Sequence, residues 1–364
     1  MAARPRLARE FEHLGWLEAC KGARYNLGSS SVLTLKLEEV GPLDPAQQVG
    51  GANPGGDPEL LQLISEAYRV EKERILITNG AGEANAHLAM VCIENGCEVL
   101  AERPIYQSLM EVSRFLGARV VHFNRRMGTG FGIDLEEIKR KISPRCRLVI
   151  LSNLHNPSCA MVDSATLRGI GEIAADKGAM VLSDEVSLDC AREAASPPMA
   201  TLAGNAVSTN GLSKAYGAGG FRLGWMLAPP GMLKAVKRLR DHTSIAPNRI
   251  GEEVAKNLFK RRDQVLARTA ELTRRNTATM EKWIGTRADV QWFKPPAGTV
   301  CFPRMVKKTP TVEIARTLYD KESTLVCPGE FFGRAGHFRI GLGGAPDMLL
   351  PGLEALGRVL DATR

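Results

Sequence analysis

Between residues 75 and 227, short apolar segments alternate with longer segments of helical periodicity, and this pattern restricts the chain to few folds. It predicts seven buried strands, at 75–78, 97–101, 119–123, 147–152, 179–183, 206–209 and 223–227. It predicts helices between them at 83–95, 106–116, 134–141 and 164–176. Continuously apolar strands linked by helices form parallel sheets that are covered on both faces. We therefore expect an α/β fold with a seven-stranded, mostly parallel sheet flanked by helices.

The segments on either side of this region have different patterns. Helical periodicity predicts further helices at 7–19, at 58–69, at 251–283 and from about 348 onward. Asp57 and Pro58 suit the N-cap and the first position of the second of these helices. A strand and turn pattern surrounds 295–302. The prediction is a large domain at 45–245 and a smaller α+β domain formed by 1–44 and 246–364.

Composition argues against several classes of protein. The net charge of +8 comes from 48 basic and 40 acidic residues, and its clearest clusters, at 260–262 and 274–275, fall in a predicted helix. No zinc-finger spacing or RNA-binding motif accompanies them, so no nucleic-acid partner is predicted. The eight cysteines include no Cys-x-x-Cys pair, which predicts buried thiols in a reducing compartment and no metal site. No apolar run is long enough to span a membrane, so the protein is expected in the cytoplasm.

Lys214 lies in a glycine-rich stretch, at 208–225, between the last two predicted strands. Glycine lets the backbone bend closely around a ligand, and a lysine amine in such a place can form a Schiff base if its pKa is lowered. Arg222, eight residues further on, can hold an anion. Taken alone, a solvated loop with one charge explains this stretch equally well.

Further polar groups follow the ends of other predicted strands. Gly80, Ala81 and Gly82 open a helix, where unpaired backbone N–H groups suit a phosphate. Three later strands lead to an aromatic ring, an amide and a carboxylate, which are Tyr106, Asn156 and Asp184. Ligands of parallel sheets bind at the C-terminal ends of the strands, so these groups are expected to meet at one edge.

The glycines at 80 and 82 also fit a second class of site. A Gly-x-Gly turn after a strand, with Glu102 about twenty residues later, is typical of nicotinamide-dinucleotide binding. Asn85 occupies the place of the third glycine of that fingerprint, and nothing downstream supplies a hydride-transfer site. The dinucleotide interpretation is therefore the weaker one.

The lysine stretch resembles that of the class I/II aminotransferases, fold-type I enzymes of the aspartate aminotransferase superfamily that use pyridoxal 5'-phosphate (PLP). That family reads Ser-x-Ser-Lys, then a glycine-rich run, then Arg-x-Gly-Trp, and Lys214 and Arg222 hold the corresponding places here. The segment 326–333, followed by Phe338-Arg339-Ile340-Gly341, resembles the family's strand with the substrate-binding arginine. The resemblance covers nearly the whole chain. It implies a PLP cofactor and a homodimer whose active site lies between the domains, near the dimer interface.

The resemblance also implies a role for each residue at the strand ends. The catalytic residues would be Lys214, which holds PLP as an aldimine and moves a proton, Asp184, which keeps the pyridine nitrogen protonated, and Tyr106, which stacks on the ring. The other cofactor contacts would come from Gly80, Ala81, Gly82, Asn156, Ser213 and Arg222. The substrate would be bound by Gly28, Asn156 and Arg339, the last through its fork onto the α-carboxylate.

Three positions depart from the family pattern. Ser187 stands where the family usually has a tyrosine near the ring hydroxyl. Gly211 stands where it usually has a hydroxyl residue on the phosphate, a contact that Ser213 or Thr209 could replace. The tyrosine that reaches the partner subunit's phosphate is replaced by the run Gly50-Gly51-Ala52. These changes leave the outcome of the reaction open.

We therefore predict a PLP-dependent aminotransferase that moves an amino group between an L-α-amino acid and a 2-oxo acid, through a lysine aldimine and pyridoxamine phosphate. A lyase or another enzyme acting on an α-carbanion, by β- or γ-elimination or by cyclisation, stays open. Capreomycidine-synthase-like relatives share this frame, and the loop at 28–31 resembles theirs. A PLP-binding regulator is the weakest interpretation, because 1–44 is too short for a winged helix and a linker.

The identity of the substrate depends on side chains that the sequence does not place. Residues 29–32 are expected to touch the substrate side chain, and their small size would admit many substrates. A dicarboxylate substrate would need a second cation, for which Arg24, Arg103 and Arg249 are the candidates.

Overall fold

The computed structural model describes residues 7–46, 53–307 and 309–363. The helices are α1 (Glu12–Ala19), α2 (Pro58–Tyr68), α3 (Ala81–Cys92), α4 (Ser108–Phe115), α5 (Leu135–Lys141), α6 (Ser164–Ala175), α7 (Met199–Leu202), α8 (Pro230–Arg240), α9 (Arg249–Lys260), α10 (Arg262–Gly285), α11 (Thr311–Glu322) and α12 (Pro346–Ala362). The strands are β1 (Tyr25–Asn26), β2 (Ile75–Thr78), β3 (Glu98–Arg103), β4 (Arg119–Asn124), β5 (Cys146–Ser152), β6 (Met180–Asp184), β7 (Ala206–Gly211), β8 (Gly224–Leu227), β9 (Val290–Gln291), β10 (Val300–Cys301), β11 (Arg304–Met305), β12 (Thr324–Leu325), β13 (Cys327–Pro328) and β14 (Phe338–Gly341).

Seven strands form a central sheet in the order β2-β8-β7-β6-β5-β3-β4. The pairs from β7 to β4 are parallel, whereas β8 runs antiparallel to both of its neighbours. All seven predicted strands are confirmed, with their ends within two residues of the prediction. The chain passes from β7 to β8 without a crossover helix, and this is why the two strands are antiparallel. Lys214 lies on that connection.

The sheet is buried on both faces, as continuously apolar strands predict. In β5, Leu148 and Ile150 pack in the apolar cluster that includes residues of α3, α4 and α8. The alternate residues Val149 and Leu151 pack on the other face with residues of α5, α6 and α7. Successive side chains of a strand point to opposite faces, so helices cover both sides and only the strand ends are open to a ligand. The predicted α/β fold is confirmed.

The remaining elements pack around a second apolar cluster. It joins β9, β10, β12 and β14 to the faces of α1, α11 and α12 through residues such as Trp16, Leu318 and Leu353. The N-terminal segment belongs to this region, because β1 pairs with β12 in parallel. This agrees with a smaller α+β unit completed by the N-terminus, while the division at 44/45 and 245/246 stays a prediction.

Two predicted helices have different lengths in the structure. The N-terminal helix begins at Glu12 and not at Leu7. Leu7 is 82% exposed, so its side chain does not pack on an apolar surface that would stabilise a first helical turn there. The tract predicted at 251–283 is two helices, α9 and α10, because the backbone of Arg261 (φ −118°) departs from helical geometry. The helix α2 confirms its predicted cap: Asp57 Oδ1 accepts hydrogen bonds from Glu59 N at 2.9 Å and Leu60 N at 3.0 Å.

No helix within 7–46, 53–307 and 309–363 is long and apolar enough to cross a membrane. Within the same ranges no group of side chains is arranged to hold a metal ion. All eight cysteines are free thiols, and all but Cys92 are buried.

Candidate active site

A cavity of about 510 Å³ opens where the strands of the central sheet end. Most of the predicted site residues line it: Ala81, Gly82, Tyr106, Asn156, Asp184, Ser213, Lys214 and Arg222. Ser31 and Val32 of the predicted substrate loop line it as well. Gly80, Gly28 and Arg339 do not line it. Gly80 lies against Arg222 of the lining, Arg339 donates to Asn156 of the lining, and Gly28 accepts a hydrogen bond from Arg339. The structure therefore brings the predicted residues together at one edge of the sheet.

Lys214 lines this cavity and is held there by a hydrogen bond. Its Nζ donates a hydrogen bond to Ser30 Oγ at 2.7 Å. Burial of the amine, with the positive charge of Arg339, lowers the pKa of Lys214 to about 8. A lysine with such a pKa is partly neutral near pH 7, and a neutral amine is the nucleophilic form. The sequence placed Ser30 only within a loop near the substrate.

Asp184 is oriented by a short chain of hydrogen bonds. Asn85 Nδ2 donates to Asp184 Oδ2 at 2.8 Å, and Asn85 Oδ1 accepts from Thr209 Oγ1 at 2.7 Å. The carboxylate is 8% exposed and takes part in no ion pair among the described residues, and burial raises its pKa. Burying an ionised carboxylate without a cation is unfavourable in free energy, so a cationic group of a ligand would stabilise the ionised form of Asp184. Asn85 was missed as a site residue.

The start of α3 and Arg222 form a compact anion cup. Gly80 precedes the helix with φ +85°, and a Cβ at this position would lie 2.7 Å from Arg222 Nη2. A Cβ on Gly224 would lie 2.6 Å from Ala81 N. Both positions therefore need glycine, which allows the guanidinium and the helix N-terminus to approach each other. The first N–H groups of a helix have no partner within it, so those of Ala81 and Gly82 are available to a phosphate.

The structure also places the residues that depart from the family pattern. Thr209 Oγ1 donates to Asn85 Oδ1, whereas Ser213 is a residue of the cavity wall; that either replaces the hydroxyl absent at Gly211 stays a prediction. Ser187 is 7% exposed and does not line the cavity, so it offers no substitute for the tyrosine expected there. The run Gly50-Gly51-Ala52 lies outside the described residues.

Arg339 is fully buried beside the cavity. Its Nη1 donates to Asn156 Oδ1 at 3.3 Å, and its Nη2 donates to Gly28 O at 2.9 Å and to His13 Nε2 at 2.7 Å. The three residues predicted to bind the substrate therefore form one cluster. The sequence analysis did not find His13, because it lies 326 positions from Arg339 and nothing in the residues around it indicates a site.

The three candidate side-chain cations do not line this cavity. Arg24 stacks over the ring of Tyr25, with its guanidinium carbon 5.1 Å from the ring centroid. Arg103 borders a separate cavity of about 700 Å³. Arg249 begins α9. Within the described part of one chain, none of them is placed to meet a second carboxylate of a bound substrate.

Comparison with known proteins identifies the family. The family model for aminotransferase class I and II matches residues 48–356. Capreomycidine synthase from Streptomyces vinaceus is 27% identical over 352 residues, which are 93% of this chain and 90% of that protein. An aspartate aminotransferase from Streptomyces avermitilis is 24% identical over 85% of this chain and 81% of that protein.

Solved structures give the same result. A PLP-dependent aminotransferase from Streptococcus suis superposes with a TM-score of 0.92 at 28% identity, covering 98% of this chain and 99% of that one. The PLP-dependent cyclase OrfR superposes with a TM-score of 0.90 at 26% identity, with complete coverage of both chains. The chain belongs to the class I and II aminotransferase family, has the fold of the fold-type I enzymes and uses pyridoxal phosphate as its cofactor.

Proposed function

We propose that this enzyme is an aminotransferase that moves an amino group between an L-α-amino acid and a 2-oxo acid. The observation that carries the proposal is that the Lys214 amine, the carboxylate of Asp184, which has no ion-pair partner among the described residues, and the anion cup all open onto one cavity. These three groups fit the aldehyde, the ring nitrogen and the phosphate of pyridoxal phosphate. When bound, that cofactor supplies a ring that takes up the electron pair released at the substrate α-carbon.

The residues of the chain then have separate tasks. Lys214 Nζ would carry the proton between the substrate α-carbon and the cofactor, since it is the only amine among the described residues that line the cavity. Asp184 would hold a proton on the pyridine nitrogen, and Asn156 would donate to the ring hydroxyl. Tyr106 would cover one face of the ring. Arg339 receives the α-carboxylate beside Asn156, to which it is already hydrogen-bonded.

A second candidate function follows from the relatives. Capreomycidine synthase and the cyclase OrfR are similar to this chain over nearly its whole length. A cyclisation or elimination uses the same first proton removal by Lys214 and differs in what happens to the substrate afterwards. Aminotransferases are relatives over a similar length, so the family allows both outcomes. By analogy with the family we further propose a homodimer in the cytoplasm.

Absorbance of the PLP-loaded enzyme distinguishes the two functions. Single L-amino acids are added in the absence of any 2-oxo acid. A transaminase is expected to convert the bound cofactor into pyridoxamine phosphate and to release one equivalent of oxo acid. If the original absorbance returns unaided while ammonia, another fragment or a cyclised amino acid accumulates, the second function replaces the first.

The pH dependence of cofactor loading tests the placement of Lys214. Only the neutral amine attacks the cofactor aldehyde, and burial lowers the pKa of Lys214 from 10.5 to about 8. The rate at which cofactor-free protein binds PLP covalently should therefore rise with pH and level off above about pH 8. Stopped-flow absorbance measures this rate. A rate that still climbs steeply up to pH 10 would show that the amine is not buried as described.

A further inference from the structure

His13 is a buried histidine that contacts the substrate-binding arginine. It lies in the first turn of α1, with 4% of its surface exposed, and its Nε2 is 2.7 Å from Arg339 Nη2. Its ring packs edge-on to Tyr106, with centroids 5.6 Å apart, and beside Phe332 at 5.7 Å. The imidazole is therefore in contact with two residues of the proposed site, Tyr106 and Arg339.

The hydrogen bonds of Arg339 restrict how a carboxylate can bind to it. A guanidinium offers a carboxylate two edges, one formed by Nη1 and Nη2 and the other by Nε and Nη2. Both edges use Nη2. The two hydrogens of Nη2 already have acceptors, which are His13 Nε2 at 2.7 Å and Gly28 O at 2.9 Å, and the weaker acceptor Cys327 Sγ lies 3.6 Å from Nη2. A substrate carboxylate can fork onto Arg339 only if one of these two acceptors gives way.

The carbonyl of Gly28 is the less mobile of the two acceptors. The preceding residues are paired with β12, and Leu27 N donates to Leu325 O at 2.8 Å. A Cβ on Gly28 would lie 3.0 Å from the side chain of Leu325, so the backbone there is closely packed. The His13 ring is carried by a side chain with two rotatable bonds, so a shift of the ring does not require the backbone to move.

His13 is also free to change the nitrogen that carries its proton. Arg339 donates to Nε2, which places the ring proton on Nδ1. That Nδ1 is buried and has no hydrogen-bond partner among the described residues. His155 is different, because its two ring nitrogens contact Ser158 Oγ at 2.6 Å and Pro104 O at 2.9 Å. No second hydrogen bond therefore fixes the tautomer of His13.

We propose that His13 is a ligand of the substrate α-carboxylate that changes from acceptor to donor when the substrate binds. In the free enzyme, Nε2 accepts from Arg339. In the complex, the carboxylate accepts the Nη2 hydrogen that His13 accepted before. Nδ1 gives its proton to a water molecule, Nε2 takes one from a water molecule, and Nε2–H donates to the carboxylate. The ring is neutral in both states, so no proton is gained or lost overall. The inference rests on the proposed amino-acid site but not on the outcome of the reaction.

The local charges favour a neutral ring. Burial and the positive charges of Arg339 and Lys214 lower the pKa of His13 to about 2. A cationic imidazole beside two other cations would be unfavourable, whereas the neutral tautomers differ only in which nitrogen is protonated. The carboxylate then receives donors from both His13 and Arg339, and hydrogen bonds to charged groups are the stronger class.

The test uses 2-methylalanine as a probe of the PLP-loaded enzyme. This amino acid has an α-carboxylate but no α-hydrogen, so binding is not followed by proton transfer. Isopropylamine is the matched ligand without a carboxylate. In His13→Phe, the dissociation constant of 2-methylalanine, measured by cofactor absorbance, is expected to rise about 10-fold to 100-fold, while that of isopropylamine stays unchanged. Leu14→Phe, at the neighbouring exposed position of α1, should alter neither constant.

A second measurement needs no variant. Calorimetry in buffers of different ionisation enthalpy counts the protons exchanged when each ligand binds, and the count is expected to be equal for 2-methylalanine and isopropylamine. An additional proton taken up with 2-methylalanine would mean that His13 becomes cationic, which overturns the tautomer change. If His13→Phe bound 2-methylalanine as tightly as the unmodified enzyme or more tightly, His13 would only compete with the carboxylate for the Nη2 hydrogen of Arg339, and the proposal would be wrong. Neither result depends on whether the enzyme transaminates or cyclises its substrate.

Discussion

Replacing Lys214 with alanine is expected to lower turnover by a factor on the order of 10⁴ or more and to remove the absorbance band of the lysine-bound cofactor. Two tasks are lost together, because the same Nζ holds the cofactor and moves the proton at the substrate α-carbon. No other amine is present among the described residues that line the cavity. Steady-state rates with the amino acid identified by the absorbance screen, and the spectrum of the loaded protein, measure both losses.

Lys234→Ala is the matched control for this variant. Lys234 lies on α8 with an exposed side chain, and it does not line the cavity. Its replacement removes the same charge and should leave the rate and the spectrum unchanged. If Lys214→Ala retained both turnover and the absorbance band, the assignment of the catalytic lysine, and with it the proposed function, would be wrong.

The central sheet could be predicted because its signal is local. Each strand is an apolar run of about five residues. Every residue of the run is apolar because both faces of the strand are buried. The approximate position of the site followed in the same way, since parallel strands end at one edge and polar residues come directly after them. This signal was sufficient to predict that Lys214, Asp184 and Asn156 belong to one site, although it does not give the distances between them.

The partners of these residues could not be predicted, because they come from distant parts of the chain. Asn85 is 99 positions from the Asp184 carboxylate that it orients, and Ser30 is 184 positions from Lys214. Asn85 was noticed only as the residue that breaks a dinucleotide fingerprint. A side chain that acts through tertiary contact leaves no periodic or spacing signal, and the same holds for His13.

The two incorrect helix predictions have a related cause. Helical periodicity reports which face of a segment is apolar, but the ends depend on what that face packs against. Leu7 is exposed, so the pattern that begins there gains nothing from forming a helical turn. At Arg261 the pattern continues across the break between α9 and α10, because apolar residues on both sides face the same cluster.

Replacing Asp184 with asparagine is expected to lower kcat/KM by about 10²-fold to 10⁴-fold while leaving the fold intact. The amide keeps the size of the side chain and can still bond to Asn85, whose amide presents both a donor and an acceptor. It cannot balance the charge of a protonated ring nitrogen, so the ring loses its ability to take up electrons. Rates with the identified amino acid measure the loss.

The stability of the cofactor-free protein should change in the opposite direction. Burial raises the pKa of Asp184, so at pH 7 the ionised carboxylate costs stability that is regained as the pH falls and the group is protonated. The amide carries no charge, so cofactor-free Asp184→Asn should melt at or above the temperature of the unmodified protein at pH 7, and the difference should shrink at lower pH. Asn85→Leu is the comparison, because it keeps the carboxylate but removes its donor, and it should reduce both stability and activity. An Asp184→Asn variant that keeps full activity but melts lower would mean that the carboxylate serves the fold and not the cofactor.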